Sequence, residues 1–215
     1  TIFSLSSDWQ HQAGLDDPAN TADCTHYAFQ DPGGPYTGGR ISTLQPGQGI
    51  GMIKFYGVRG QYGFLSNFHG AIFQISNTHY PSVEHFYQAM KSEDPEVQLQ
   101  IRSAATPGQA KRMGARCEKR ADWDDPVGTP QLHDIFRDDR GIVVELVKDH
   151  FMYTALIAKF TQRPELRTAL LNTGTEELHE VAPKDFYWGL GIDGTGQNKL
   201  GRMLQLVRAK LPQTR

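Results

Sequence analysis

The stretch Asp185-Phe186-Tyr187-Trp188-Gly189-Leu190-Gly191-Ile192-Asp193-Gly194-Thr195-Gly196-Gln197-Asn198 runs straight into the last helical pattern of the chain. Gly189, Gly191 and Gly194 spell Gly-x-Gly-x-x-Gly. That fingerprint belongs to a dinucleotide fold only inside a βαβ unit with an acidic residue about 20 positions further on. Here a single helical pattern follows the loop, so a doubly wound α/β sheet is not expected. A glycine-rich turn is most often just a turn. Even so, glycine lets a backbone approach a ligand closely, and the start of a helix offers free N–H groups to an anion. With Tyr187 and Trp188 adjacent, the stretch suits a ligand with one flat end and one phosphorylated end, such as a nucleotide or nucleotide-sugar. Trp188 taken alone reads as readily as a core residue.

Working outward, the periodicity is mostly helical. After Asn198 the inward positions are Leu200, Met203, Leu204, Val207 and Leu211. Pro164 opens the preceding helix and Gly174 closes it, burying Leu166, Leu170 and Leu171. The longest pattern spans Ile142 to Phe160, with Val143, Leu146, Val147, His150, Phe151, Thr154, Ile157 and Ala158 at spacings of three and four. Thr106-Pro107-Gly108-Gln109 reads as a capping box, with Gly114 as its stop. Asp94-Pro95 opens another helix, and one runs from near Ser82 to about Ser92. Ile53–Tyr56 and Ala71–Ile75 read as short strands, with a turn at residues 60–63. The expected fold class is mainly α, that is α+β with a minor β element: a compact multi-helix orthogonal bundle with a few short strands.

Residues 1–52 have another character. They are rich in Gly, Pro, Asp, Ser and Thr, and Pro32-Gly33-Gly34-Pro35 is a loop signal. They read as an irregular arm, with Tyr36 or Arg40 as a conceivable lip to the site, and the domain proper as 53–215. Net charge is −2, but residues 1–50 hold five Asp and one Arg, against 21 Lys+Arg and 19 Asp+Glu in the remainder. So balanced a body does not grip duplex DNA by charge alone, though it is compatible with a small anionic ligand or one modified base. No apolar run approaches the roughly 20 residues that cross a bilayer, so no membrane partner is expected. The two cysteines, Cys24 and Cys117, fit free thiols in a reducing, cytoplasmic setting. The eight histidines are scattered, so no metal site is expected.

Three constellations could carry chemistry. On a helix, Glu84, Tyr87, Gln88 and Lys91 share one face while Val83, Phe86 and Met90 share another. The bland reading of that stripe is a solvated face. The sharper one is catalytic: a carboxylate steadies a developing sugar cation or activates water, and a shielded lysine attacks an aldehyde. Ser66, Asn67 and Phe68 lie in a loop between aromatics, as local turn formers or as ligands of a ribose or base edge. Lys111-Arg112 reads as a solvated basic pair.

Taken in order, Phe64-x-Ser66-Asn67-Phe68, Tyr80-Pro81-Ser82-x-Glu84-His85-x-Tyr87-Gln88-Ala89-x-Lys91, Ala104-x-Thr106-Pro107, Lys159-Phe160, Leu178-x-Glu180, Tyr187-Trp188-Gly189 and Gly196-x-Asn198 resemble the NADAR domain family over about Ile53 to Leu211. The resemblance implies a mainly helical N-glycosidase. It associates two activities with the family: removal of ADP-ribose from modified guanine, and scission of early riboflavin-pathway intermediates. It implies Glu84 and Lys91 as catalytic residues, and Ser66, Asn67, Phe68, Tyr87, Asp185, Trp188, Gly189, Gly191 and Asn198 as substrate-binding residues. It also implies no metal or redox cofactor, and an ADP-ribose moiety on nucleic acid or nucleotide as partner. A module that only binds ADP-ribose or NAD is the non-catalytic rival. The arm, and a long segment Arg120–Arg140, fall outside the compact pattern.

Overall fold

Helices carry most of the regular structure among the described residues, and proline and capping side chains fix where several of them begin. The computed structural model describes residues 51–127 and 136–212. The arm, with Tyr36, Arg40 and Cys24, lies outside the described residues. Among those described there are six α-helices: α1 (Val83–Ala89), α2 (Pro95–Arg102), α3 (Pro107–Gly114), α4 (Val147–Gln162), α5 (Pro164–Leu171) and α6 (Lys199–Lys210). Ser82, Asp94 and Thr106 cap the first three by accepting from His85, Glu96 and Gln109 N–H groups. Such caps are worth about 1 kcal/mol each. In the α3 box the Gln109 side chain reaches back one residue further than expected, to the Ala105 N–H at 3.1 Å.

The β structure comes in pairs. Strand β1 (Met52–Phe55) lies parallel to β6 (Glu177–Glu180), the only parallel ladder among the described residues. Strands β2 (Phe73–Ile75) and β3 (Thr78–Tyr80) form a hairpin, and β4 (Arg137–Asp138) and β5 (Gly141–Ile142) another. The β2–β3 turn places Ser76 and Asn77 at positive φ, the two-residue turn that suits strand twist. The expected strands at the start of the domain are present, whereas β3 to β6 were not foreseen.

One sequence expectation is corrected. The long helix starts at Val147, not Ile142. Ile142 is in β5, and the Asp149 carboxylate accepts from the Glu145 and Leu146 N–H groups at 3.1 and 3.2 Å, which sets the start one turn later. Gly114 ends α3 as expected, and Ala115 follows in right-handed conformation. It is glycine because a Cβ there would collide with the Gln88 amide of α1.

The core lies where α1, α4 and α6 meet the ladder. Leu156, Ala158 and Phe160 of α4 and Leu200, Met203, Leu204 and Val207 of α6 are fully buried. Beneath the glycine loop sits a buried polar knot. Asp149 accepts from the Tyr187 hydroxyl at 2.6 Å and pairs with Lys199 Nζ at 3.0 Å, and Lys199 also donates to the Val143 carbonyl. This knot pins the loop to the start of α4. No helix among the described residues is long and apolar enough to cross a membrane.

Candidate active site

Every residue of α1 is buried, so Glu84, Tyr87 and Gln88 are not a solvated face, while the helix ends before Lys91, which lies in the following turn. Glu84 is only 4% exposed, and its Oε1 accepts from Gln88 Nε2 at 2.7 Å. Burial raises its pKa. The Gln88 hydrogen bond and the charges of Lys111 and Lys91 oppose that rise, while Asp185 reinforces it. Lys91 is half-buried, and burial lowers its pKa against the pull of Glu84. Its Nζ lies 5.6 Å from the centroid of the buried Tyr87 ring. Tyr87 meets Trp188 edge-on at 5.5 Å and Trp123 at 5.1 Å.

The Ser66–Phe68 loop is bound to this helix. The Glu84 N–H donates to the Asn67 carbonyl at 3.1 Å. Ser66 acts locally, its Oγ accepting from the Phe68 N–H. Asn67 is buried, and its Oδ1 has no partner. From α4, the buried ammonium of Lys159 donates to the Phe64 and Ser66 carbonyls at 2.6 and 3.1 Å. Burial pushes its pKa down to about 7, while two carbonyl acceptors favour the charged form. On the rim, Lys111 of α3 stands 5.6 Å from the Phe68 ring centroid. Lys111 is exposed, as the sequence reading expected, and it also acts electrostatically on Glu84, Lys91 and Glu180.

The far wall comes from β6 and the loop after it. Glu180 ends β6, and its pKa rises to about 7, first through burial, then through Asp185 and Glu84, with Lys111 opposing. Asp185 Oδ1 accepts from the Tyr187 and Trp188 N–H groups at 3.1 and 2.8 Å, which sets the loop's direction. Sequence reasoning passed over Glu180, although Leu178-x-Glu180 stood among the matching motifs. Strand alternation could have found it: Leu178 faces the core, so Glu180 shares its side of the ladder. Glu84, Glu180 and Asp185 thus gather with Lys91 and Lys111 at one place. Among the described residues no group of His, Cys, Asp or Glu is arranged to hold a metal ion.

The N–H groups expected to be free at the start of α6 are taken. The loop folds back, and its own carbonyls take the donors: Gln197, Asn198, Lys199 and Leu200 N–H bond to Phe186, Gly189, Tyr187 and Trp188 C=O. Buried N–H groups must find acceptors, and here the chain supplies them itself. Asn198 adopts a left-handed conformation, and its side chain bridges β6, accepting from Glu180 N–H and donating to Leu178 C=O. Gly189 lies where a Cβ would meet the Glu180 and Asp185 carbonyls. Gly191, at φ 68°, lines a separate groove of about 560 Å³ with Met52, Lys54 and His179. Neither Glu84, Lys91 nor Glu180 is among the residues that line that groove. The proposed residues therefore divide. Glu84, Lys91, Tyr87, Ser66, Asn67, Phe68, Asp185 and Trp188 converge, Gly189 and Asn198 support the loop from within, and Gly191 lies elsewhere.

A buried carboxylate with further carboxylates and two lysines about it, against an aromatic wall, defines a candidate enzyme site. The family model of the NADAR domain matches residues 54–212, and the chain belongs to that family. An N-glycosidase of Nostoc punctiforme is 36% identical over 165 residues, 74% of this chain and 92% of that protein. The N-glycosidase YbiA of Escherichia coli is 35% identical over 162 residues, 74% and 88% of the two chains. A riboflavin biosynthesis protein of Vibrio vulnificus is 35% identical, with 38% of its length covered. The NMR structure of YbiA from E. coli superimposes with a TM-score of 0.63 at 32% identity, covering 80% of this chain and 89% of that one. These relatives put the chain among hydrolases that act on N-glycosyl bonds.

Proposed function

We propose that this enzyme hydrolyses the C1′–N bond of ADP-ribosylated guanine, in nucleic acid or nucleotide, releasing ADP-ribose and unmodified guanine. The observation that carries the reading is the gathering of Glu84, Glu180 and Asp185 with Lys91 and Lys111 beside the Tyr87–Trp188 pair. Scission leaves the bonding electrons on the base nitrogen and positive charge over C1′ and the ring oxygen. The buried Glu84 carboxylate stabilises that charge, more strongly than it would in water. Glu180, titrating at about 7, is protonated in about half the molecules at neutral pH and in that form supplies a proton to the departing guanine. Water then adds its hydroxide to C1′ and returns its proton to Glu180. Lys91 keeps Glu84 ionised. In the alternative role its unprotonated form, which burial favours, attacks the ring-opened C1 aldehyde and expels water to form an imine, which water reverses. Tyr87 and Trp188 receive the flat end of the ligand, while Ser66, Asn67, Phe68 and Asp185 bound its polar part.

The riboflavin name of the Vibrio relative favours a second reading, a glycosidase of early riboflavin intermediates. One assay separates them. The protein is mixed with an ADP-ribosylated guanine oligonucleotide, and free ADP-ribose is measured. Release supports the proposal. No release, with turnover of the pyrimidine ribose-phosphate intermediate, favours the second reading. Tight ADP-ribose binding without turnover, unchanged in Glu84→Gln, leaves only a binding module.

A further inference from the structure

Two helices meet at a point the reaction scheme does not use. Gln88 is one helical turn beyond Glu84 on α1 and is only 3% exposed. Its amide donates to Glu84 Oε1 at 2.7 Å, while its own Oε1 is buried and has no partner. That oxygen occupies the space a Cβ would fill at Gly114 of α3. The orientation is informative. With the amide turned over, Gln88 could accept from a protonated Glu84, but a buried N–H pair would then face the Gly114 gap. An orphaned carbonyl oxygen is tolerated more readily than an orphaned N–H. The gap therefore selects the amide orientation that offers a donor to a carboxylate.

We infer that Gln88, seated in the space left by Gly114, is a positioning residue that holds the Glu84 carboxylate ionised and fixed against the tendency of burial to protonate it. The inference rests on the proposed role of Glu84, and it adds the device that keeps Glu84 usable. The charged and titratable groups about Glu84 are Tyr87 of α1, Lys91 in the turn after it, Lys111 of α3, Glu180 of β6 and Asp185 of the loop. The lysines also favour the ionised form. Gln88, an uncharged neighbour, donates to the Glu84 side chain at 2.7 Å. A hydrogen bond to a charged group at this depth is worth enough to move a pKa by about one to two pH units.

The test follows Glu84 directly and needs no substrate. Infrared difference spectra recorded across pH report its carboxylic-acid stretch, assigned by the band missing in Glu84→Gln. In Gln88→Met the midpoint of that band should move up by about one to two pH units, and the acid limb of kcat should move with it, with KM nearly unchanged. Gly114→Ala should produce a shift of the same sign by displacing the amide from α3. In the double variant it should add almost nothing to Gln88→Met, because both act through one hydrogen bond. Thermal melts select variants that remain folded. If Gln88→Met does not fold, the Gly114→Ala spectrum decides alone. A Glu84 midpoint that stays in place in the folded variant overturns the inference. Full activity of Glu84→Gln would instead overturn the proposed function, and the infrared result would still stand by itself.

Discussion

Replacing Glu180 by Gln separates what this carboxyl does for stability from what it does for chemistry. In the folded protein it titrates at about 7, against an ordinary value of 4.5, mainly because it is buried. Below pH 4.5 it is protonated in both folded and unfolded chains and contributes nothing to pH dependence. Between 4.5 and 7 the unfolded chain releases its proton while the folded one retains it, so stability falls as pH rises. Above 7 the folded form carries a buried charge that destabilises it by about 3 kcal/mol. Glu180→Gln removes that penalty. The variant should match the wild type near pH 4.5 and exceed it by about 3 kcal/mol at pH 8, equivalent to roughly 6–12 °C in Tm for a chain of this size. The same change removes the proposed proton donor, so turnover at pH 7 should fall about 100-fold or more. A more stable but less active enzyme is the usual signature of a functional group held under strain. Urea titrations and thermal melts at pH 4.5, 6 and 8 measure the first half, and release of ADP-ribose the second. A stability difference that does not grow with pH would refute the account of Glu180, as would a variant less stable than wild type at pH 8.

Further outcomes follow from the same site. Glu84→Gln and Lys91→Ala should each lower kcat at least ~100-fold, and retained turnover in both would remove α1 from the chemistry. If Lys91 forms an imine, reduction with cyanoborohydride during turnover should leave a sugar adduct on that residue by mass spectrometry, absent from Lys91→Ala. Trp188→Ala should weaken ADP-ribose affinity by about 1–3 kcal/mol with little change in kcat, read by calorimetry, and an unaltered Kd would count against stacking. Lys199→Met leaves the fully buried Asp149 charge without its ion-pair partner and should destabilise the fold by about 3–5 kcal/mol in denaturant titration.

Much of this protein can be read from the chain before any fold is known. Helix starts at Pro95, Pro107 and Pro164 and the inward stripe of α6 are local properties, set by proline geometry, capping hydroxyls and a 3.6-residue repeat. The Glu84–Lys91 stripe is equally local, and the order of motifs from Phe64 to Asn198 carries the family. The β1–β6 ladder joins strands more than a hundred residues apart, and nothing local in either announces the other. That pairing brings Glu180 to Glu84, and no helical spacing could reveal it. The glycine loop shows the opposite limit. Its composition suggested an open anion site, but whether a helix end is free depends on what folds over it, and here the carbonyls of residues 186–190 take its donors. Gly114 reads as a stop in sequence and is a space for Gln88 in three dimensions. Sequence by itself settled which residues are chemically able. Tertiary packing decided which of them meet, and how far each is removed from water, because burial and long-range pairing belong to the whole chain.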